Sequence, residues 1–89
     1  MNELEKKMYE FQKTVQTRDD FIKFLTLFRE SLNKNPMLWE NTDLATFLEA
    51  FQGWVADIDG IYTNRGENTP TQPTWRVLSD MLMGARVYE

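Results

Sequence analysis

The run Leu44–Tyr62, LATFLEAFQGWVADIDGIY, constrains the chain more than any other stretch. Its apolar residues fall at Leu44, Phe47, Leu48, Phe51, Trp54, Val55, Ile58, Ile61 and Tyr62. At about 100° per residue they occupy one arc of about 140°, the stripe of a helix lying on a core. Strand-type alternation is not sustained anywhere, so the partners of this helix are expected to be helices too.

Those partners can be read from spacing and caps. Leu4, Met8, Phe11 and Val15 make a narrow stripe over residues 2–15, with Tyr9 off it and exposed. Thr17 stands before Asp19 and Asp20, an N-cap followed by acids at the positive end of a helix. That helix is expected over 18–33, turning Phe21, Phe24, Leu25, Phe28 and Leu32 inward. Pro36 stops it, and Trp39 is expected to cover one end of the core. Asn41 or Thr42 then caps the central helix, 42–61, with Asp43 in its first turn. Gly60, Asn64 and Gly66 weaken and end it. Residues 65–74, with Pro70 and Pro73, are a loop. In a last helix, 74–88, Trp75, Val77, Leu78, Met81, Leu82, Ala85 and Tyr88 share an arc of about 160°, leaving Met83 and Val87 as a small exposed patch. The expected fold is all-α: a compact, four-helix bundle-like single domain over 1–89.

Composition removes whole classes of chemistry. The chain has no Cys and no His, so disulfides, thiolate zinc sites, thiol nucleophiles and the commonest general base are absent together. No catalytic, cofactor-binding or metal-binding residue is assigned, and no cofactor is expected. No apolar run approaches the ~20 residues that span a bilayer, and no signal peptide is evident, so a cytoplasmic protein away from the membrane is expected. The net charge of −4 is uneven: residues 1–35 carry +1 and residues 36–89 carry −5. Within 36–64 there are five acids, Glu40, Asp43, Glu49, Asp57 and Asp59, and no base. Nucleic-acid binding needs a clustered basic surface, so the expected partner is another protein with a basic surface.

Asp57 and Asp59 in DIDG raise two chemical readings. On a continuous helix they point about 200° apart, which disfavours a carboxylate pair. A calcium loop fails as well: with Gly60 at its sixth position, the first would be Val55 and the twelfth Gly66. The plain reading of both aspartates is structural, with Arg65, Arg76 or Arg86 as available cations. The aromatics are read as core rather than as a stacking platform, since no Lys or Arg is interleaved with them. The back of the central helix (Ala45, Thr46, Glu49, Ala50, Gln52, Gly53, Ala56, Asp57) is unusual in being dominated by small residues. Gly53 costs about 1 kcal/mol against Ala in a helix, so close approach is expected there, by another part of this chain or by a partner.

The order WEN, LATFLEAFQGWVADIDGIYTNRGE, P, W, ARVYE resembles a family of small bacterial domains of unknown function. The likeness runs from TRDDF to ARVYE and is carried by Trp39, Asn41, Leu44, Phe47, Leu48, Trp54, Asp57, Gly60, Tyr62, Asn64, Gly66, Pro73 and Trp75. It implies an all-α fold and a bacterial origin, and brings no activity. The residues rank three functions. First is a non-catalytic protein-binding module, monomeric or weakly homodimeric, binding through Glu40, Asp43, Glu49, Gly53, Asp57 and Asp59. Next is an immunity- or antitoxin-like inhibitor of a basic protein. Last is a small enzyme using Asp57 or Asp59 with Tyr62 and Arg76, disfavoured by the missing His and Cys.

Overall fold

The helix starts are set by side-chain caps. In the computed structural model, which describes residues 2–89, Asn2 accepts from the Leu4 N–H (2.9 Å), Thr17 from Asp20 (3.1 Å), Asp43 from Thr46 (2.9 Å) and Thr74 from Val77 (3.1 Å). Each bond satisfies a backbone donor that the first helical turn leaves without a partner. The Asp20 carboxylate returns the bond to the N–H groups of Gln16 and Thr17, completing a capping box. These backbone donors hold the Asp20 carboxyl below its ordinary pKa, the Gln16 N–H most of all. Five α-helices follow: α1 Glu3–Gln12, α2 Arg18–Lys34, α3 Leu44–Ala56, α4 Ile58–Asn64 and α5 Trp75–Ala85. A 3₁₀ turn, Pro36–Leu38, links α2 to α3, and no strand occurs among the described residues.

The fold is all-α, as the periodicity implies, but the helix expected over 42–61 is two helices, which makes five rather than four. Asp57, with φ −98° and ψ 12°, leaves helical geometry, and its N–H is shared among the carbonyls of Gly53, Trp54 and Val55. The chain restarts at Ile58 and turns Tyr62 back toward α5. Asp43 itself caps α3, in place of Asn41 or Thr42. Gly66, at φ 74°, ends α4: its N–H reaches the Thr63 carbonyl and that of Glu67 reaches Tyr62 (both 2.9 Å), a Schellman closure that needs a left-handed residue.

The hub is α5, not the Leu44–Tyr62 stretch. It packs against α1, α2 and α3, and buries Val77, Ser79, Asp80, Met83 and Ala85 around most of its circumference. Met83, expected outside, joins Met8, Val15, Phe24, Phe28 and Trp39 in the core. The side of α3 turned to α5 is the edge where its small-residue back meets the apolar stripe. Ala50 and Trp54 are buried, and the Tyr88 ring stands 3.3 Å from where a Cβ on Gly53 would lie. The closeness at Gly53 is therefore filled from within the chain. Leu44 and Leu48, about 120–160° around the helix from Ala50, are consequently left 73% and 55% exposed.

Candidate functional site

Between α2 and the first turn of α3 lies an apolar groove of about 320 Å³. Phe28 and Leu32 form one wall, Leu44 and Phe47 the other, Trp39 is the floor, and Arg29 and Asp43 stand at the edge. The three rings interlock: Phe28 lies 4.8 Å and Phe47 6.1 Å from Trp39, with Phe28 and Phe47 6.3 Å apart. Leu48, one turn beyond Leu44, extends the apolar surface along α3.

The floor is fixed from behind by a buried polar chain. Trp39 Nε1 donates to Ser31 Oγ (3.0 Å), which donates to Glu5 Oε2 (2.5 Å). Glu5 Oε1 accepts from Arg86 Nη1 at 2.9 Å, and both side chains of this ion pair are almost wholly buried. Arg86 in turn donates to the Tyr9 hydroxyl (2.8 Å) and lies over the Tyr9 and Trp39 rings (5.5 and 5.6 Å). Its carbonyl accepts from the N–H groups of Glu40 (2.9 Å) and Asn41 (3.0 Å), which anchors the approach to α3. The groove is thus rigid, because rotating its floor would break a bond to a buried charge network.

The residues expected to carry function separate. Asp43 is on the groove, exposed, its carboxyl held below its ordinary pKa chiefly by the Thr46 N–H and hydroxyl. Glu49 and Gly53 line a different depression beside Tyr88. Asp57 accepts from the Tyr88 hydroxyl. Glu40 and Asp59 are exposed and line neither cavity.

Asp57 and Asp59 do not meet Tyr62. The Tyr62 hydroxyl donates instead to buried Asp80 (2.6 Å), which also accepts from Gln12 Nε2 (2.6 Å) and faces Arg65 at 3.6 Å. Burial, then the Asp80 carboxylate, pushes the Tyr62 phenol well above its ordinary pKa. Glu5, Gln12, Asp80 and Arg86 escape a reading based on apolar stripes. The available signal is spacing: Glu5, Met8 and Gln12 recur at three and four on one face of α1, as Val77, Asp80 and Met83 recur on α5. Among the described residues no group of His, Cys, Asp or Glu is arranged to hold a metal ion, and no helix is long and apolar enough to cross a membrane.

Compared with known proteins, residues 17–89 match the model of a family described as "Family of unknown function (DUF7660)". No curated protein and no solved structure matches the chain.

Proposed function

We propose, for a chain that belongs to the family of unknown function DUF7660, that it is a non-catalytic protein-binding module whose partner lays a basic amphipathic helix along the groove between α2 and α3. The observation that carries this is the exposure of Leu44 and Leu48 beside a preformed apolar groove. Helix-in-groove recognition uses such a surface, reading apolar anchors at i, i+3 or i+4. Arg29 and Asp43 offset one another on the groove itself, so a basic occupant is favoured by the wider stretch 36–64, which carries five acids and no base. The non-catalytic reading rests on the missing His and Cys and on the separation of Asp57 and Asp59 from Tyr62 and Asp80. A bacterial setting belongs to the same reading and rests on the sequence resemblance; a cytoplasmic one rests on the lack of any apolar run approaching the ~20 residues that span a bilayer.

The test places a photo-crosslinking amino acid at position 44, with position 59 as control, in the native host. The protein trapped is purified and titrated against the parent chain, Leu44→Lys and Asp43→Lys. Since burying a Leu is worth about 1.5–3 kcal/mol, Leu44→Lys should weaken binding about tenfold or more while circular dichroism stays unchanged. Crosslinks from position 59 alone, or affinity indifferent to Leu44→Lys, would refute the assignment. The exposure of Glu40, Asp43, Glu49, Asp57 and Asp59 alike favours a second reading, an immunity- or antitoxin-like inhibitor. That reading requires the trapped partner to lose its own activity in the complex and to regain it against an Asp43→Lys/Glu49→Lys variant.

A further inference from the structure

A second cavity, of about 410 Å³, lies where α1, the connection after α4 and α5 meet. It falls within the ~300–1,000 Å³ range of small-molecule sites. Lys13, Arg65 and Arg76 line it, with Glu67 and Asp80 as the acids, an excess of positive charge on a chain whose net charge is −4.

The two acids are not equivalent. Asp80 is buried and already served by Gln12, Tyr62 and Arg65. Arg65 is set in place by that contact and by lying over the Tyr62 ring at 5.4 Å. Arg76 differs from both. Its Nε is buried with no hydrogen-bond partner among the described residues, and it enters none of the ion pairs found there. The side chain as a whole is only half-buried, so its terminal nitrogens, rather than the sealed Nε, are the donors that a ligand in the cavity can reach. Guanidinium groups match the paired oxygens of carboxylates and phosphates.

We infer that this cavity binds a small-molecule oxyanion, a carboxylate or phosphate group, with Arg76 as the principal donor and Lys13 and Arg65 at its rim. Glu67 opposes the anion, so it tunes affinity downward. The site is separate from the groove and stands or falls independently of it.

Arginine Nε–Hε pairs give their own signals in ¹⁵N-correlated spectra, so the labelled full chain can be read at Arg76 itself. Inorganic phosphate and acetate are titrated separately at constant ionic strength, with chloride as reference. The expected result is a saturable shift of the Arg76 Nε–Hε signal with one or both anions. Saturation by phosphate alone identifies a phosphorylated ligand, whereas saturation by acetate identifies a carboxylate. Followed at the Nε–Hε signal of Arg65, which lines the same cavity, Arg76→Gln should weaken binding about tenfold or more, the affinity that about 1.4 kcal/mol represents. Glu67→Gln should strengthen it, a gain that misfolding cannot imitate. Shifts that stay linear, match chloride or scatter over exposed Lys and Arg overturn the inference, as does saturable binding that survives Arg76→Gln or is indifferent to Glu67→Gln.

Discussion

Gly84 and Gly53 both lie in helices at the α3–α5 contact, and an alanine should act in opposite directions at the two. A Cβ on Gly84 would fall 2.0 Å from Trp54 Nε1, 2.3 Å from Cδ1 and 2.6 Å from Cε2. Non-bonded heavy atoms rest at about 3.5–4.0 Å, so the indole must retreat by about 1.5 Å or the helices must part by as much. Trp54 is a rigid, buried bicycle set edge-on to Tyr62 (6.3 Å, 79°), and it has no room to retreat. Overpacking costs about 1–3 kcal/mol and sometimes more, against a gain of about 1 kcal/mol at most from helix propensity. Gly84→Ala should therefore lose about 2 kcal/mol or more, from a total near 4–13 kcal/mol for 89 residues. At Gly53 the nearest atoms are Cε2 and Cδ2 of Tyr88, at 3.3 and 3.5 Å. That ring belongs to a half-buried side chain next to the last residue and can yield a few tenths of an ångström, so the propensity gain of about 1 kcal/mol should survive in part. Urea unfolding followed by tryptophan fluorescence measures both, with equal m-values required for comparison. If Gly84→Ala lies within about 0.5 kcal/mol of the parent, or Gly53→Ala loses as much as Gly84→Ala, the close-packing account of this interface is wrong.

Two further predictions follow from the buried polar groups. Breaking the Glu5–Arg86 pair by Arg86→Met should cost about 3–5 kcal/mol, because it strands a carboxylate; Glu5→Met/Arg86→Met should cost less than the two single changes together. Strict additivity in that double-mutant cycle would remove the pair from the account. Tyr62 supplies a pH dependence: its phenol is raised above the ordinary value of 10.0, so the folded state keeps the proton that the unfolded state releases. The associated stability is complete below about pH 10 and falls as the pH rises above it. Tyr88 is raised likewise by its bond to Asp57, so the diagnostic quantity is a difference. Melting temperature should decline less steeply for Tyr62→Phe than for the parent between about pH 9 and about pH 11.5, and identical slopes would contradict the bond to Asp80.

What could be read in advance was whatever depends on near neighbours. Thr17 and Thr74 cap their helices, Pro36 stops α2 and Gly66 turns left-handed, each for a reason contained within a few residues. The break at Asp57 was invisible because one non-helical residue barely disturbs an apolar period that continues on both sides. The exposure of Leu44 and Leu48 was hidden for a different reason. An apolar stripe marks a face able to bury itself, but Ala50, Gly53 and Trp54 meet α5 and Tyr88, and the far edge of the stripe, Leu44 and Leu48, is turned out to the rim. Asp43 lies on the groove, whereas Glu49, Gly53 and Asp57 gather around Tyr88 because the chain end folds back over α3. Nothing local could announce the pairing of Glu5 with Arg86, separated by 81 positions.

The matched family span begins at Thr17 and so contains α2 to α5 without α1. Yet α1 supplies Glu5 and Tyr9 to Arg86 and Gln12 to Asp80. Both charges, Asp80 in the middle of α5 and Arg86 at its C-cap, are almost entirely buried, and a buried charge is tolerable only when its partners are present. In this chain α1 is therefore what allows α5 and its C-cap to hold an acid and a guanidinium inside the protein. Through Ser31 the same helix also fixes Trp39, so the geometry of the groove depends on a segment outside the matched span. Under the proposed function, a partner docking on the groove would read, one layer removed, the state of α1.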